Sequence, residues 1–316
     1  MISSPRALVR VVAIAFVTLL VAALTACGSS PESAPASSQP ASVKRVASLG
    51  LGDVDTLLAL GVVPVLVAPW AQDATEPVGE WSKPLLQGQT PAMVLGTGNA
   101  VDGKAIETIA TAKPDLIVAV NSGFDDATFE RLQSIAPVIR RPAQFAAWGV
   151  PWEAQVRAIA AGVGRTAEGD ALIAKTNDRI AQAKADHPRY QGKTAATVLP
   201  KSDGGLYAYA NTDGRGQVLT MLGFSLPESV SRLVPAGKFY ADVSAENLKI
   251  LDLDTLVYLD YGTKQSEETA FRSLKVVGEN RVARIDRNLG NAMSMPNPVT
   301  LEWVLKTLPP KLPDFA

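Results

Sequence analysis

From residue 45 onward, short apolar stretches alternate with segments whose apolar positions recur at helical spacing. Arg45 to Leu49 reads as a strand. A glycine-containing turn follows, then a helix with Val54, Leu57, Leu58 and Gly61 at helical spacing. VPVLVAP is a second strand, stopped by Pro69. Asp102 is placed to cap a helix running through Thr111, and KPDLIVAV is a continuously apolar strand of the fully buried type. A helix over 125–135 and the strand APVIR close this half.

Residues 151–187 carry no strand pattern. Pro151 can open one helix, and a second runs from Thr166 with apolar residues at 172, 173, 180 and 183. After Gly192 the alternation returns: TAATVL as a strand, QVLTMLGF as a helix, TLVYLD as a strand, a helix over 267–276, RVARI as a strand and VTLEWVLKTL as a closing helix. Strands alternating with helices predict right-handed βαβ units, hence an α/β protein with mostly parallel sheets. The organisation expected is an α/β lobe over 43–150, a helical bridge over 151–190 and a second α/β lobe over 191–316. The halves also echo each other. Glu107 stands eight positions before Asp115, which opens LIVAV, and Glu246 stands eight positions before Asp254, which opens TLVYL.

The N-terminus has a different texture. Arg6 and Arg10 precede an apolar run from Val11 to Leu24, about 14 residues long and short of the ~20 that a spanning helix requires. Leu24-Thr25-Ala26-Cys27-Gly28 then resembles a bacterial lipobox, which implies cleavage after residue 26 and a diacylglycerol on Cys27, with the protein held on the extracytoplasmic face of the cell membrane. Residues 27–42, rich in Ser, Pro and Ala, read as a flexible tether.

Composition narrows the chemistry. The chain of 316 residues is 47% hydrophobic with a formal net charge of −1, a poor match to nucleic-acid binding, which needs clustered Lys and Arg. Cys27 and His187 are the only cysteine and histidine, so thiolate clusters, multi-histidine metal sites and Ser-His-Asp catalysis lack raw material. Neither a metal site nor an enzyme is expected. The first strand is followed by GLGDVD and not by a dinucleotide fingerprint.

RVASLGLGDVDTLLALGVVPVLV, IETIATAKPDLIVAV and SAENLKILDLDTLVYLD resemble the helical-backbone (class III) substrate-binding proteins for ferric siderophores, haem and cobalamin, over essentially all of residues 43–310. The resemblance implies two Rossmann-like lobes joined by a long helical bridge, a ligand in the cleft between them, no resident cofactor, and a monomer that delivers its cargo to an ABC permease and its ATPase. It further implies that Glu107 and Glu246 dock onto the permease and that Trp70 and Tyr240 contact ligand, one from each half. A ferric siderophore is the first expectation; haem or cobalamin is the alternative, and an envelope lipoprotein acting through protein partners a more remote one.

Ligands of open α/β sheets sit beyond the carboxyl ends of the strands. The loops expected there carry Gly50 to Asp53, Trp70, Trp81, Asn121 to Gly123, Phe145 and Trp148 in the first half. The second half offers Tyr207, Tyr209, Arg215, Phe239, Tyr240, Tyr261, Asn291, Met293 and Met295. Trp70, Tyr240, Trp81, Trp148, Tyr209, Arg215, Tyr261 and Met295 form the candidate ligand set, since large aromatics suit a bulky, partly apolar ligand. Arg215, in a Gly-flanked loop over 211–216, offers bidentate hydrogen bonds to an anionic chelate; Arg140 and Arg141 are a second option. His187, at the end of the bridge, reads as a helix-terminal surface residue.

Overall fold

A computed structural model describes residues 45–98, 101–262 and 269–315. The sorting signal, the tether and Cys27 lie outside the described residues.

Five strands of the first half, β1 (Val46–Ser48), β2 (Leu66–Val67), β3 (Ala92–Met93), β4 (Leu116–Ala119) and β5 (Val138–Arg140), form a wholly parallel sheet in the order β3-β2-β1-β4-β5. All four residues of β4 are buried, as a strand covered by helices on both faces requires. The covering helices are α1 (Asp53–Ala59), α2 (Gly103–Ala112) and α3 (Asp126–Gln133). Asp102 caps α2 by accepting from Ala105 N at 2.7 Å, an arrangement that contributes about 1 kcal/mol.

Two helices, α4 (Trp152–Gly162) and α5 (Thr166–Asp186), then lead to a second sheet. Its strands are β6 (Ala195–Pro200), β7 (Leu206–Tyr209), β8 (Tyr240–Val243), β9 (Thr255–Leu259) and β10 (Val282–Ile285), in the order β10-β9-β6-β7-β8. β6, β9 and β10 run parallel, but β7 is antiparallel to both β6 and β8. This meander corrects the sequence expectation, which took Tyr207, Tyr209 and Tyr240 for loop residues. Each strand is four residues long, too short for alternation to stand out beside Gly204-Gly205 and Asn211-Thr212-Asp213. α6 (Gly214–Leu222), the one-turn helices α7 (Glu228–Ser231), α8 (Thr269–Arg272) and α9 (Lys275–Gly278), then α10 (Arg287–Ser294) and α11 (Pro298–Thr307) complete the half. α10 was not anticipated, and residues 291–295 were expected as a loop. The helix expected over 267–276 is divided into α8 and α9, with 267 and 268 outside the described residues.

The internal echo has a structural basis. β4 lies beside β1, and β9 lies beside β6, so each follows the same placement next to the first strand of its sheet. Asp115 Oδ2 accepts from Arg45 N at 3.1 Å, just before β1; Asp254 Oδ2 accepts from Thr194 N at 2.8 Å, just before β6. Each aspartate pins the start of the strand next door.

The halves do not separate into independent cores. α11 belongs in sequence to the second half, yet packs on α5 and on α1. One hydrophobic cluster runs from Trp81, Trp152 and Val156 through Ile173 to Val257, Met293, Leu301 and Leu305.

Candidate functional site

The carboxyl ends of β1 and β4 release two adjacent loops. Leu49 N donates to Val118 O at 2.7 Å and Leu51 N to Asn121 O at 2.8 Å. Asp53, at the start of α1, is wholly buried behind them. Its carboxylate accepts from Gln155 Nε2 (2.6 Å), Val120 N (2.7 Å) and Asn121 N (3.3 Å), and Gln155 also donates to Leu51 O at 3.1 Å. Gln155 lies on α4, so one buried carboxylate fastens both loops to the segment between the sheets. Asp55, two residues along, accepts from Trp81 Nε1 (3.1 Å), Ser82 Oγ (2.5 Å) and Asn297 Nδ2 (3.0 Å). Asn297 also caps α11, so Asp55 ties α1 to the returning C-terminal segment.

Loss of hydration pushes both carboxyls up to about 6, against the opposing pull of those hydrogen bonds. In the unfolded chain they ionise near the ordinary 3.8. Between these values the folded protein holds protons that the unfolded chain has released. The stability this adds is fully present below the unfolded pKa and is lost as pH rises through about 6. Lowering the pH from about 7.5 to about 5 should therefore add about 1 kcal/mol per group and raise the melting temperature by a few degrees. Calorimetry at the two pH values checks this, and a lower melting temperature at the acidic value would contradict it.

Trp148 forms one wall beside these loops. Its backbone has φ +60°, a left-handed conformation that costs a non-glycine residue on the order of 1–3 kcal/mol. The indole lies flush on Gly123, where an added Cβ would stand 2.4 Å from Nε1. Only glycine permits that approach.

On the second half, Asp213 caps α6 and accepts from Arg215 N at 2.9 Å. Arg215 is thus not a loop arginine but the second residue of a helix. Its Nη1 lies 3.0 Å from both Asp213 oxygens, and its guanidinium stacks 4.1 Å from the Tyr209 ring centre. Burial pushes the Asp213 carboxyl up, with Arg215 acting against it. Tyr209 and Tyr240 are register partners across β7 and β8, with Tyr207 packed on Tyr240 at 4.7 Å.

Between the halves lies a cleft of ≈ 200 Å³. Leu51, Asn121, Trp148 and Trp152 face Asp213, Arg215, Gln217, Phe239 and Pro296 across it. An adjoining recess of ≈ 50 Å³ shares Leu51 and Trp148 and adds Pro69 and Trp70. A larger groove, ≈ 400 Å³, runs between α5 and α11 past Trp81 and Trp303, but it does not join the strand-end loops of the two halves.

Among the sequence candidates, Trp70, Trp148 and Arg215 line the cleft or its recess. Tyr240 is 37% exposed and stands one residue beyond the lining Phe239. Tyr209 is buried beneath Arg215. Trp81 and Met295 do not belong to the cleft: Trp81 is a core residue whose indole N–H serves Asp55, and Met295 is buried in the same cluster. Tyr261 sits under Arg287 with its hydroxyl against Gly290, also outside the lining. Asp213, Gln217 and Pro296 were not anticipated as site residues. Asp213 was legible as an N-cap ahead of Gly214, and recognising it would have turned the supposed loop into a helix start. Arg140 and Arg141 border a separate surface depression with Asp126 and Phe145. His187 caps α5 and stacks on Tyr190 at 4.9 Å.

Two parallel-rich α/β sheets, helices between them and a cleft at the strand ends define a class III substrate-binding protein, which holds a solute and does no chemistry on it. The sequence pattern described as Periplasmic binding protein matches residues 46–285, and the chain belongs to that family. It is 27% identical over 263 residues to the probable siderophore-binding lipoprotein YfiY of Bacillus subtilis (strain 168), covering 78% of this chain and 76% of the relative. It is 22% identical over 305 residues to the iron(3+)-hydroxamate-binding protein FhuD of the same strain, covering 86% and 88%. Among solved structures, a periplasmic solute binding protein from Mycobacterium smegmatis shares the fold with a TM-score of 0.75 and 30% identity, over 87% of this chain and 93% of that one.

Proposed function

We propose that the protein captures a ferric siderophore outside the cell, is anchored to the membrane through a lipid on Cys27, and passes its cargo to an ABC importer. The observation that carries the reading is the aromatic cleft, in which Trp148 and Trp152 face Phe239 and Arg215 across the two halves. Flat aromatic walls supply contact area at low entropic cost, which suits a bulky chelate. Two relatives named for siderophore or ferric hydroxamate binding support the choice of ligand. The lipobox ending at Cys27 supports the anchor, and among the described residues no helix is long and apolar enough to cross a membrane.

Tryptophan fluorescence tests the reading. Trp148 and Trp152 line the cleft and Trp70 its recess, so a coloured ferric chelate should quench emission saturably. A panel of ferric hydroxamate, ferric catecholate, haem and cobalamin identifies the cargo, and silence across the panel would end the proposal. Trp148→Ala should weaken the binding of the quenching ligand by about tenfold through lost contact area.

A further inference from the structure

The cleft is close to electrically neutral, although a carrier of metal complexes invites the opposite expectation. Among the described lining residues Arg215 is the one cation and Asp213 the one anion, and they are paired at 3.0 Å with side chains 16% and 13% exposed. The arginines farther out are also engaged. Arg287 faces Asp73 at 3.5 Å and lies over Tyr261; Arg140 pairs with Asp126. Arg141 donates Nη1 to the carbonyls of Ser122 at 2.5 Å and Phe124 at 3.4 Å, and Lys238, exposed beside the lining Phe239, stands outside the lining itself.

Ferric chelates divide sharply by charge. Three hydroxamates bring three negative charges to Fe(III) and give a neutral complex. Three catecholates bring six and leave three in excess, and hydroxycarboxylate chelates are also anionic. Moving an excess of negative charge between Trp148, Trp152 and Phe239 removes its hydration, and the nearest cation is already cancelled by Asp213. A neutral complex incurs no such penalty. Its outer amide and hydroxamate oxygens need only neutral donors, and Asn121 and Gln217 stand on opposite walls with one amide hydrogen each beyond those given to Leu51 O (3.3 Å) and Thr212 O (3.4 Å).

Resting on the reading of the cleft as a chelate site, we propose that it selects charge-neutral ferric chelates of the tris-hydroxamate class, and that Asp213 sets this selectivity by neutralising Arg215. Asparagine is as good a helix cap as aspartate, so Asp213→Asn keeps the start of α6 while freeing the Arg215 charge.

The test is fluorescence titration of the wild-type protein and Asp213→Asn with ferrichrome, a neutral tris-hydroxamate, and with the ferric tris-catecholate of enterobactin. The wild type should prefer ferrichrome by about tenfold or more, with a dissociation constant that changes less than about twofold between about 0.02 and about 0.5 M NaCl. Asp213→Asn should shift the affinity ratio toward the catecholate by about tenfold. Equal or tighter binding of the catecholate by the wild type, a steep salt dependence for ferrichrome, or an unchanged ratio in the variant would each overturn the selectivity proposal while leaving the chelate-carrier reading in place. Failure of both chelates to bind would overturn the selectivity proposal, and the chelate-carrier reading would fall only with silence across the wider panel.

Discussion

Glu107→Ala combined with Glu246→Ala should abolish import of the ferric cargo while leaving the purified protein's affinity for that cargo unchanged. Both carboxylates are exposed, one on α2 and one on the short 3-10 helix Ala245–Leu251. Each precedes the strand that lies beside the first strand of its own sheet, so the two occupy matching positions on two matching halves. The Glu246 carboxyl is held below its ordinary range by its own backbone N–H and by the Ser244 hydroxyl, which keeps it ionised. Two like charges on related scaffolds suit a permease with two basic docking points. The second contact then forms at high effective concentration, and losing both should cost on the order of a hundredfold or more in productive docking. Each single variant should retain intermediate uptake. Radiolabelled-iron uptake in cells, beside fluorescence titration of the purified variants, separates the possibilities. Normal uptake by the double variant would refute the docking role, and lost affinity would move these residues to a folding role.

Asp55→Ala should destabilise the protein by about 4 kcal/mol and lower its melting temperature by about 10 °C. Removing the carboxylate strands three donors, Trp81 Nε1, Ser82 Oγ and Asn297 Nδ2, in a region closed to water. It also unfastens α1 from the residue that caps α11, which loosens the contact by which the C-terminal segment holds the first half. Asp55→Asn keeps the shape but turns an amide hydrogen toward a donor, so it should recover only part of the loss. A change below about 1 kcal/mol for the alanine variant would show that water replaces the lost acceptor, leaving this anchor structurally minor.

The Asp213–Arg215 pair illustrates how tertiary context changes the meaning of a residue the sequence already offers. An arginine in a glycine-rich segment suggested a hand held out to an anion. The helix start at Gly214 instead points it at its own cap, and the stacked Tyr209 ring fixes it there. The tyrosines tell a related story. Tyr207, Tyr209 and Tyr240 were chosen for their chemistry, but β7 and β8 gather them on one sheet face, where Tyr209 supports Arg215 and Tyr240 alone is exposed.

The sequence alone determined the α/β alternation, the helical segment between the halves, the capped start of α2 and the twin Glu–Asp spacings, because these depend on local periodicity and local hydrogen bonds. Lone Cys27 and lone His187 also limited the chemistry before any fold was considered. Only the tertiary structure decided which aromatics face the cleft. Trp81 and Trp148 look alike in a loop, yet one meets a buried carboxylate and the other a glycine surface, and both partners are distant in the sequence or set by backbone geometry. The return of α11 onto α1 and α5 was equally hidden, since an amphipathic pattern states that a helix buries one face but not against what.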